Sequence, residues 1–291
     1  MVINCFSVDV EDYFQCEAFA GRISPDDWST HELRVERNVD RLLQFLDERK
    51  SRATWFVLGW VAERCPDLVK TIASHGHEIA SHGFNHQHLS RMTPALFRED
   101  LQKSIRILED ATGTQVWGYR APTFSIIQRT AWAIDVLRAS TLKYDSSIYP
   151  VRHDRYGVSA APIEPFDLSR DGDGSLIEIP PLVGRCLGMN LPLGGGGYLR
   201  LLPIAWMSRA ILHANREGRP AMTYVHPWEI DPDQPTLPCG RLTRIRHYRN
   251  LDQTMKRLGF LFDQHEFTTA NRVLESYRSA NTIKRWNFPA N

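Results

Sequence analysis

The chain has 291 residues, 42% hydrophobic and 24% charged, a composition that excludes both intrinsic disorder and a fibrous repeat. With 35 basic against 34 acidic residues, bulk charge offers no general attraction to nucleic acid or to an anionic membrane. Cys5, Cys16, Cys65, Cys186 and Cys239 are scattered, lack CxxC spacing and read as packing thiols. No apolar run approaches the roughly 20 residues of a membrane span. MVINCFSVDVEDYF runs straight into a strand-like pattern with charge by position 9, so no secretion leader is read and the cytoplasm is the expected compartment.

In chain order, Val2 to Val10 reads as a buried strand ending in carboxylates, and LRVERNVDRLLQFL from Leu33 to Leu46 carries apolar residues at helical spacing. ATWFVL (Ala53 to Leu58) is a second strand, followed by a helix around Val61 to Ile72 and a short strand from His77 to Ala80. Thr93 and Pro94 mark a helix start, and the amphipathic stretch after them ends near Gly113. A strand from Val116 to Tyr119, a helix around Thr130 to Arg138, short strands near Tyr144 and Ile177, a helix around Pro203 to Asn215 and a strand from Ala221 to Val225 complete the series.

Alternating strands and helices imply a parallel sheet, open or closed. A barrel is preferred, because the chemically interesting residues fall just after strands, where a barrel has its active rim. With no repeat and no linker, one domain over residues 1–291 is the simpler reading, with a C-terminal extension around 232–291. Residues 184–200, with consecutive glycines from Gly194 to Gly197, read as a mobile insertion. Those glycines do not follow a strand as a phosphate-binding loop would. The basic run Arg241, Arg244, Arg246, His247, Arg249 reads as a solvated face, with a phosphate or an acidic sugar as its alternative partner.

The first chemical candidate is Asp9-Val10-Glu11-Asp12. Alternation puts Asp9 and Glu11 on one face, and Asp12 joins them only if the chain turns. Alone, such a tetrapeptide is an ordinary solvated strand end. In SHGFNHQHL, His82 and His86 stand four apart, a spacing that aims two imidazoles at one ion; His75, His77 and His88 are nearby rivals. Two histidines and a carboxylate suit a catalytic divalent ion with positions left open. Arg120, in Gly118-Tyr119-Arg120-Ala121-Pro122-Thr123, can hold a carboxylate ionised, and His226, at the end of the last core strand, can protonate a leaving amine.

The order of these motifs, carboxylates, HxxxH, RxP and a late strand ending in histidine, resembles the polysaccharide deacetylases of carbohydrate esterase family 4. The likeness runs from Asp9 to His226, and GGGGYLRLLP and IRHYRN look like the subfamily linked to bacterial exopolysaccharide loci. The resemblance implies a distorted (β/α) barrel of seven or eight mostly parallel strands. It further implies hydrolysis of N-acetyl groups on an amino-sugar polysaccharide, oligosaccharide or lipid-linked sugar. On that resemblance Asp9 is the general base, Arg120 its orienting partner, His82 and His86 metal ligands, and His226 the general acid. Asp145 is the acid paired with His226, and the Thr123 N–H is the oxyanion donor. The family's first motif has adjacent aspartates, whereas Glu11 or Asp12 supplies the second acid here, and both stand as ligand candidates. One divalent ion is expected, zinc first, with iron, cobalt and nickel also suited to the ligand set. The expected partner is an N-acetylated glycan, with no nucleic acid and no membrane span. The rival readings are an amidohydrolase of a small cyclic amide or imide on the same scaffold, and a non-catalytic carbohydrate-binding barrel.

Overall fold

Strand β1 (Asn4–Val10) is buried along its whole length, as a central strand of a parallel sheet with both faces covered must be. The computed structural model describes residues 2–170, 175–186 and 188–288. Around β1 the chain alternates helix and strand: α1 (Val35–Glu48), β2 (Thr54–Val57), α2 (Gly59–Arg64), α3 (Pro66–Ser74), β3 (Glu78–Ser81), α4 (Pro94–Thr112) and β4 (Gly118–Tyr119). Then follow α5 (Ala133–Arg138), β5 (Tyr144–Asp145), β6 (Phe166–Asp167), β7 (Ile177–Glu178), and a hairpin of β8 (Val183–Cys186) with β9 (Met189–Pro192). Last come α6 (Gly196–Leu201), α7 (Ile204–Arg216), β10 (Met222–Val225), α8 (Arg241–Tyr248), α9 (Thr254–Gln264), β11 (Phe267–Thr268) and α10 (Ala270–Ala280).

The main sheet runs β10-β1-β2-β3-β4-β5-β7-β6, parallel except for β6, with β11 joining β1 at Asn4 and Cys5. Its two ends meet: Pro181, just past β7, bridges Met222 of β10, and the Leu182 N–H donates to the Met222 carbonyl at 2.8 Å. The result is the distorted (β/α) barrel expected from the pattern. Alternation along β1 divides two cores. Phe6, Val8 and Val10 pack outward with the helices, while Cys5 joins Phe56, Ala80, Tyr144 and Ile177 inside the barrel.

The element reading needs one correction here. The helix expected over Val61 to Ile72 is two, because Pro66 starts α3 and Cys65 between them is non-helical. The stretch read as an insertion, around 184–200, carries the β8–β9 pairing and the start of α6. A Cβ on Gly195 would stand 1.9 Å from the Tyr224 carbonyl oxygen, so glycine lets this segment lie against β10, and the Tyr224 N–H donates to the Gly194 carbonyl at 2.8 Å. The stretch from 232, read as a C-terminal extension, contributes β11, which pairs with β1, and α8, which forms part of a cleft wall. Among the described residues no helix is long and apolar enough to cross a membrane.

A candidate metal centre at the strand ends

Because β1, β3, β4 and β10 are parallel neighbours, their C-terminal ends share one rim, and each delivers a polar residue to it. β1 supplies Asp9 and, just beyond, Glu11; His82 follows β3, Arg120 follows β4 and His226 follows β10. All are buried, or nearly so, and Asp9, Glu11, His82 and His226 line a cleft of about 370 Å³.

Glu11, His82 and His86 each bring one ligand atom within 4.8 Å of the others. His82 Nδ1–H donates to the Arg120 carbonyl at 2.8 Å, which fixes the tautomer and leaves Nε2 as a lone pair facing the cluster. Burial pushes the His82 imidazole down to about 4, so it is neutral and ready to ligate. The Trp228 indole N–H donates to Glu11 Oε1 at 2.9 Å. Glu11 Oε2 is buried without a hydrogen-bond donor, and His86 Nε2 stands 2.6 Å from it. Burial opposes ionisation of Glu11, yet His86 and His226 outweigh it and hold the carboxyl well below the usual range. A buried anion with an orphaned oxygen, beside two imidazoles, is the donor set a borderline-soft divalent cation fits.

Asp12 is not brought to this cluster. The chain turns after Glu11, and Asp12 accepts the N–H groups of Tyr13 (2.8 Å), Arg34 (2.7 Å) and Val35 (2.9 Å), tying down the start of α1. The rival histidines also have other work. His75 pairs with Asp47 at 2.7 Å, His77 accepts the Ala53 N–H at 3.1 Å, and His88 accepts the Ser90 N–H at 3.2 Å.

Arg120 is wholly buried and serves the site twice. Its carbonyl orients His82, and its guanidinium donates to Asp9 Oδ1, Ser7 Oγ, Ser146 Oγ and the Ser146 carbonyl while lying 4.0 Å over the Phe56 ring. Asp9 Oδ2 is left facing His226 Nε2 at 3.9 Å. Thr123 lines the cleft in the left-handed region (φ 58°), as does Phe124 after it (φ 51°). For a β-branched residue that conformation stores about 1–3 kcal/mol of strain, of the kind found at functional turns.

The expected pairing of Asp145 with His226 is not what the structure holds. Asp145 accepts a hydrogen bond from Ser147 Oγ, which itself accepts the Ala121 N–H at 2.7 Å, so Asp145 braces the turn that carries Thr123. It shares its buried site with Glu178, and burial raises both carboxyls. The partner of His226 is Glu229, three residues on, at 2.9 Å from Nδ1. Burial opposes the charge on His226, but Glu11, Glu229 and Asp9 outweigh it and raise the imidazole to about 9. Glu229 is in turn bonded by Arg200 Nε at 2.7 Å, both side chains fully buried, and the rest of that guanidinium donates to the carbonyls of Arg246, His247 and Arg249 at the end of α8. The Trp228 ring stacks between His226 (5.2 Å, 18°) and His247 (4.1 Å, 13°). Glu229, Arg200 and Trp228 therefore complete the site without having been assigned from sequence. The Glu229 spacing, a histidine with an acid three residues later, was the available signal.

The fold and this cluster define a class: a hydrolase-type barrel with a two-histidine, one-carboxylate centre at its strand ends. Residues 25–141 match the polysaccharide deacetylase family, and residues 146–275 match a domain of unknown function, DUF3473. Over 131 residues the chain is 32% identical to the peptidoglycan deacetylase of Helicobacter pylori, covering 45% of this chain and 44% of that protein. The chain spans half or less of the curated relatives it first matches. A Mycobacterium smegmatis crystal structure, named as a candidate polysaccharide deacetylase, superposes with a TM-score of 0.65 at 22% identity, over 100% of this chain and 96% of that one. PuuE allantoinase superposes with a TM-score of 0.63 at 16% identity, over 96% and 91% of the two chains. Over residues 25–141 the chain is similar to the polysaccharide deacetylases, and it shares its fold with the Mycobacterium smegmatis structure along its whole length.

Proposed function

We propose that this chain is a metal-dependent hydrolase that removes N-acetyl groups from an amino-sugar glycan, and that its two matched segments act as one catalytic domain. The observation that carries the reading is a single convergence: the Glu11, His82, His86 cluster lies beside Asp9, held by Arg120, and His226, held by Glu229. A cleft of about 370 Å³ above them has room for a sugar ring. The family match and the Helicobacter pylori relative support N-deacetylation as the chemistry.

A divalent ion held by Glu11, His82 and His86 supplies Lewis acidity, polarising an amide carbonyl and lowering the pKa of water; zinc is the first choice and iron, cobalt or nickel also suit the donors. Asp9 accepts the proton of the attacking water on Oδ2, because Arg120 occupies Oδ1 and keeps the carboxylate in place. The Thr123 N–H, on its strained turn, is the assigned donor to the tetrahedral oxyanion. His226 gives the Nε2 proton to the departing sugar amine. Glu229, at about 2 because burial is outweighed by Arg200 and His226, stays ionised and holds the imidazolium through Nδ1.

The substrate range expected from the resemblance, an amino-sugar polysaccharide, oligosaccharide or lipid-linked sugar, is part of this proposal, as is the link to bacterial exopolysaccharide loci. The allantoinase-like fold favours a second reading, hydrolysis of a small cyclic amide. Acetate release by zinc-loaded protein, screened over N-acetylglucosamine oligomers, peptidoglycan fragments and extracted exopolysaccharide, tests the first reading. Stoichiometric metal with no acetate from any glycan, and turnover of a cyclic amide, would replace it with the second.

A further inference from the structure

The floor and the mouth of the cleft carry opposite charge. Asp9 and Glu11 lie on the floor, whereas Arg155 and Arg246 line the same cleft above them. Of the acids beside these arginines, only Asp154 pairs with one of them, Arg246, and at long range. Glu17 is gripped at both oxygens by Arg91, at 2.9 and 2.7 Å. Asp154 lies mostly in solvent, 2.9 Å from His153 Nδ1 and 3.7 Å from Arg246 Nη1, the latter beyond hydrogen-bond reach. Among the described residues the Arg155 guanidinium enters no ion pair or hydrogen bond.

Arg246 is also placed by the fold. Its carbonyl accepts Arg200 Nη2–H at 2.7 Å, so the last turn of α8 is pinned to a fully buried residue. Thr243, one turn earlier on the same helix, lines the same cleft and adds a hydroxyl. A neutral sugar offers no charge to the Arg155 guanidinium, or to Arg246 beyond its long ion pair with exposed Asp154, while phosphate and carboxylate oxygens match their forked donors. In a chain of formal net charge +1, this is local placement and not a general basic surface.

We propose that Arg155, Arg246 and Thr243 form a subsite for an anionic group, phosphate or carboxylate, carried by the sugar next to the one being deacetylated. The substrate class is then an acidic or phosphate-bearing glycan. The inference rests on the deacetylase reading for its reaction but not for its binding.

The test uses the metal-loaded full chain with three probes: a neutral N-acetylglucosamine oligomer, the same oligomer bearing a 6-phosphate, and an oligosaccharide alternating with hexuronate. Binding is measured by titration calorimetry and turnover by acetate release. At least one anionic probe should bind about tenfold more tightly than the neutral one, with the advantage shrinking as salt is raised. Arg155→Ala and Arg246→Ala should each erase about five- to tenfold of that advantage while kcat and neutral binding stay within about twofold. Preference for one anion over the other identifies its source. Equal affinity for neutral and anionic probes, or arginine variants that weaken both alike, would overturn the subsite. Arginine-dependent anion binding with no acetate released would sink the deacetylase reading and keep the subsite; acetate released with no anion preference would do the reverse.

Discussion

The two sides of the cleft are built by different means. On the N-terminal side, Asp9, Glu11, His82 and Arg120 stand at or just past the ends of β1, β3 and β4, so the register of adjacent parallel strands sets their positions. On the C-terminal side, β10 sets the position of His226 alone. Its orientation depends on a chain of hydrogen bonds through Glu229 and Arg200 to the carbonyls that end α8, which joins residues 29 to 49 positions apart. A strand end is rigid because the whole sheet holds it. The relay is rigid only while each buried charge keeps its partner.

The comparison can be broken most severely on the strand-end side. His82→Ala or His86→Ala should strip the ion and reduce acetate release by more than about 10⁴-fold, beyond the loss of any single proton-transfer group, with metal content and turnover measured together. Asp9→Asn and His226→Ala should lower turnover by about 10²- to 10⁴-fold while metal content stays intact. An activated acetyl ester, whose leaving group needs no proton, should be much less sensitive to loss of His226, and equal damage to ester and amide would end its assignment as the acid.

On the relay side, Arg200→Met leaves Glu229 charged and buried with His226 as its remaining partner, and the α8 carbonyls without the guanidinium. Urea titration should show a loss of about 3–5 kcal/mol, and adding Glu229→Gln should recover part of it. Glu229→Gln alone should have the smallest effect on rate, about tenfold, but a signed one on pH. The Glu229 anion helps raise His226 to about 9, so removing it lowers that pKa. The basic limb of the pH profile for kcat/KM, where the general acid loses its proton, should move to lower pH. A limb that does not move would make Glu229 a merely structural neighbour.

How much was legible follows the same division. The strand-helix alternation and the burial of β1 are periodic signals, so a parallel sheet with Asp9, His82, Arg120 and His226 at or past its strand ends could be read directly, whereas closure into a barrel was preferred from where those residues fall and from the resemblance. The choice between Glu11 and Asp12 could not, because it depends on a turn whose purpose, supplying acceptors for the first N–H groups of α1, appears only once Arg34 and Val35 are in place. Asp145 was misread for a related reason: it sits at a strand end, but its partners Ser147 and Glu178 turn it toward the Ala121 loop. The reason for glycine at Gly195 was not legible either, since sequence shows the missing side chain but not the Tyr224 backbone lying against it.

The most direct test of the account is an anomalous-diffraction map from zinc-soaked crystals of the wild type and of Asp12→Ala. The account predicts one peak per chain in both, bonded by a Glu11 oxygen and by the His82 and His86 Nε2 atoms, with Asp12→Ala losing about 1 kcal/mol of stability through its helix cap and no metal. A peak that vanishes with Asp12, or one held by His75, His77 or His88, would contradict it.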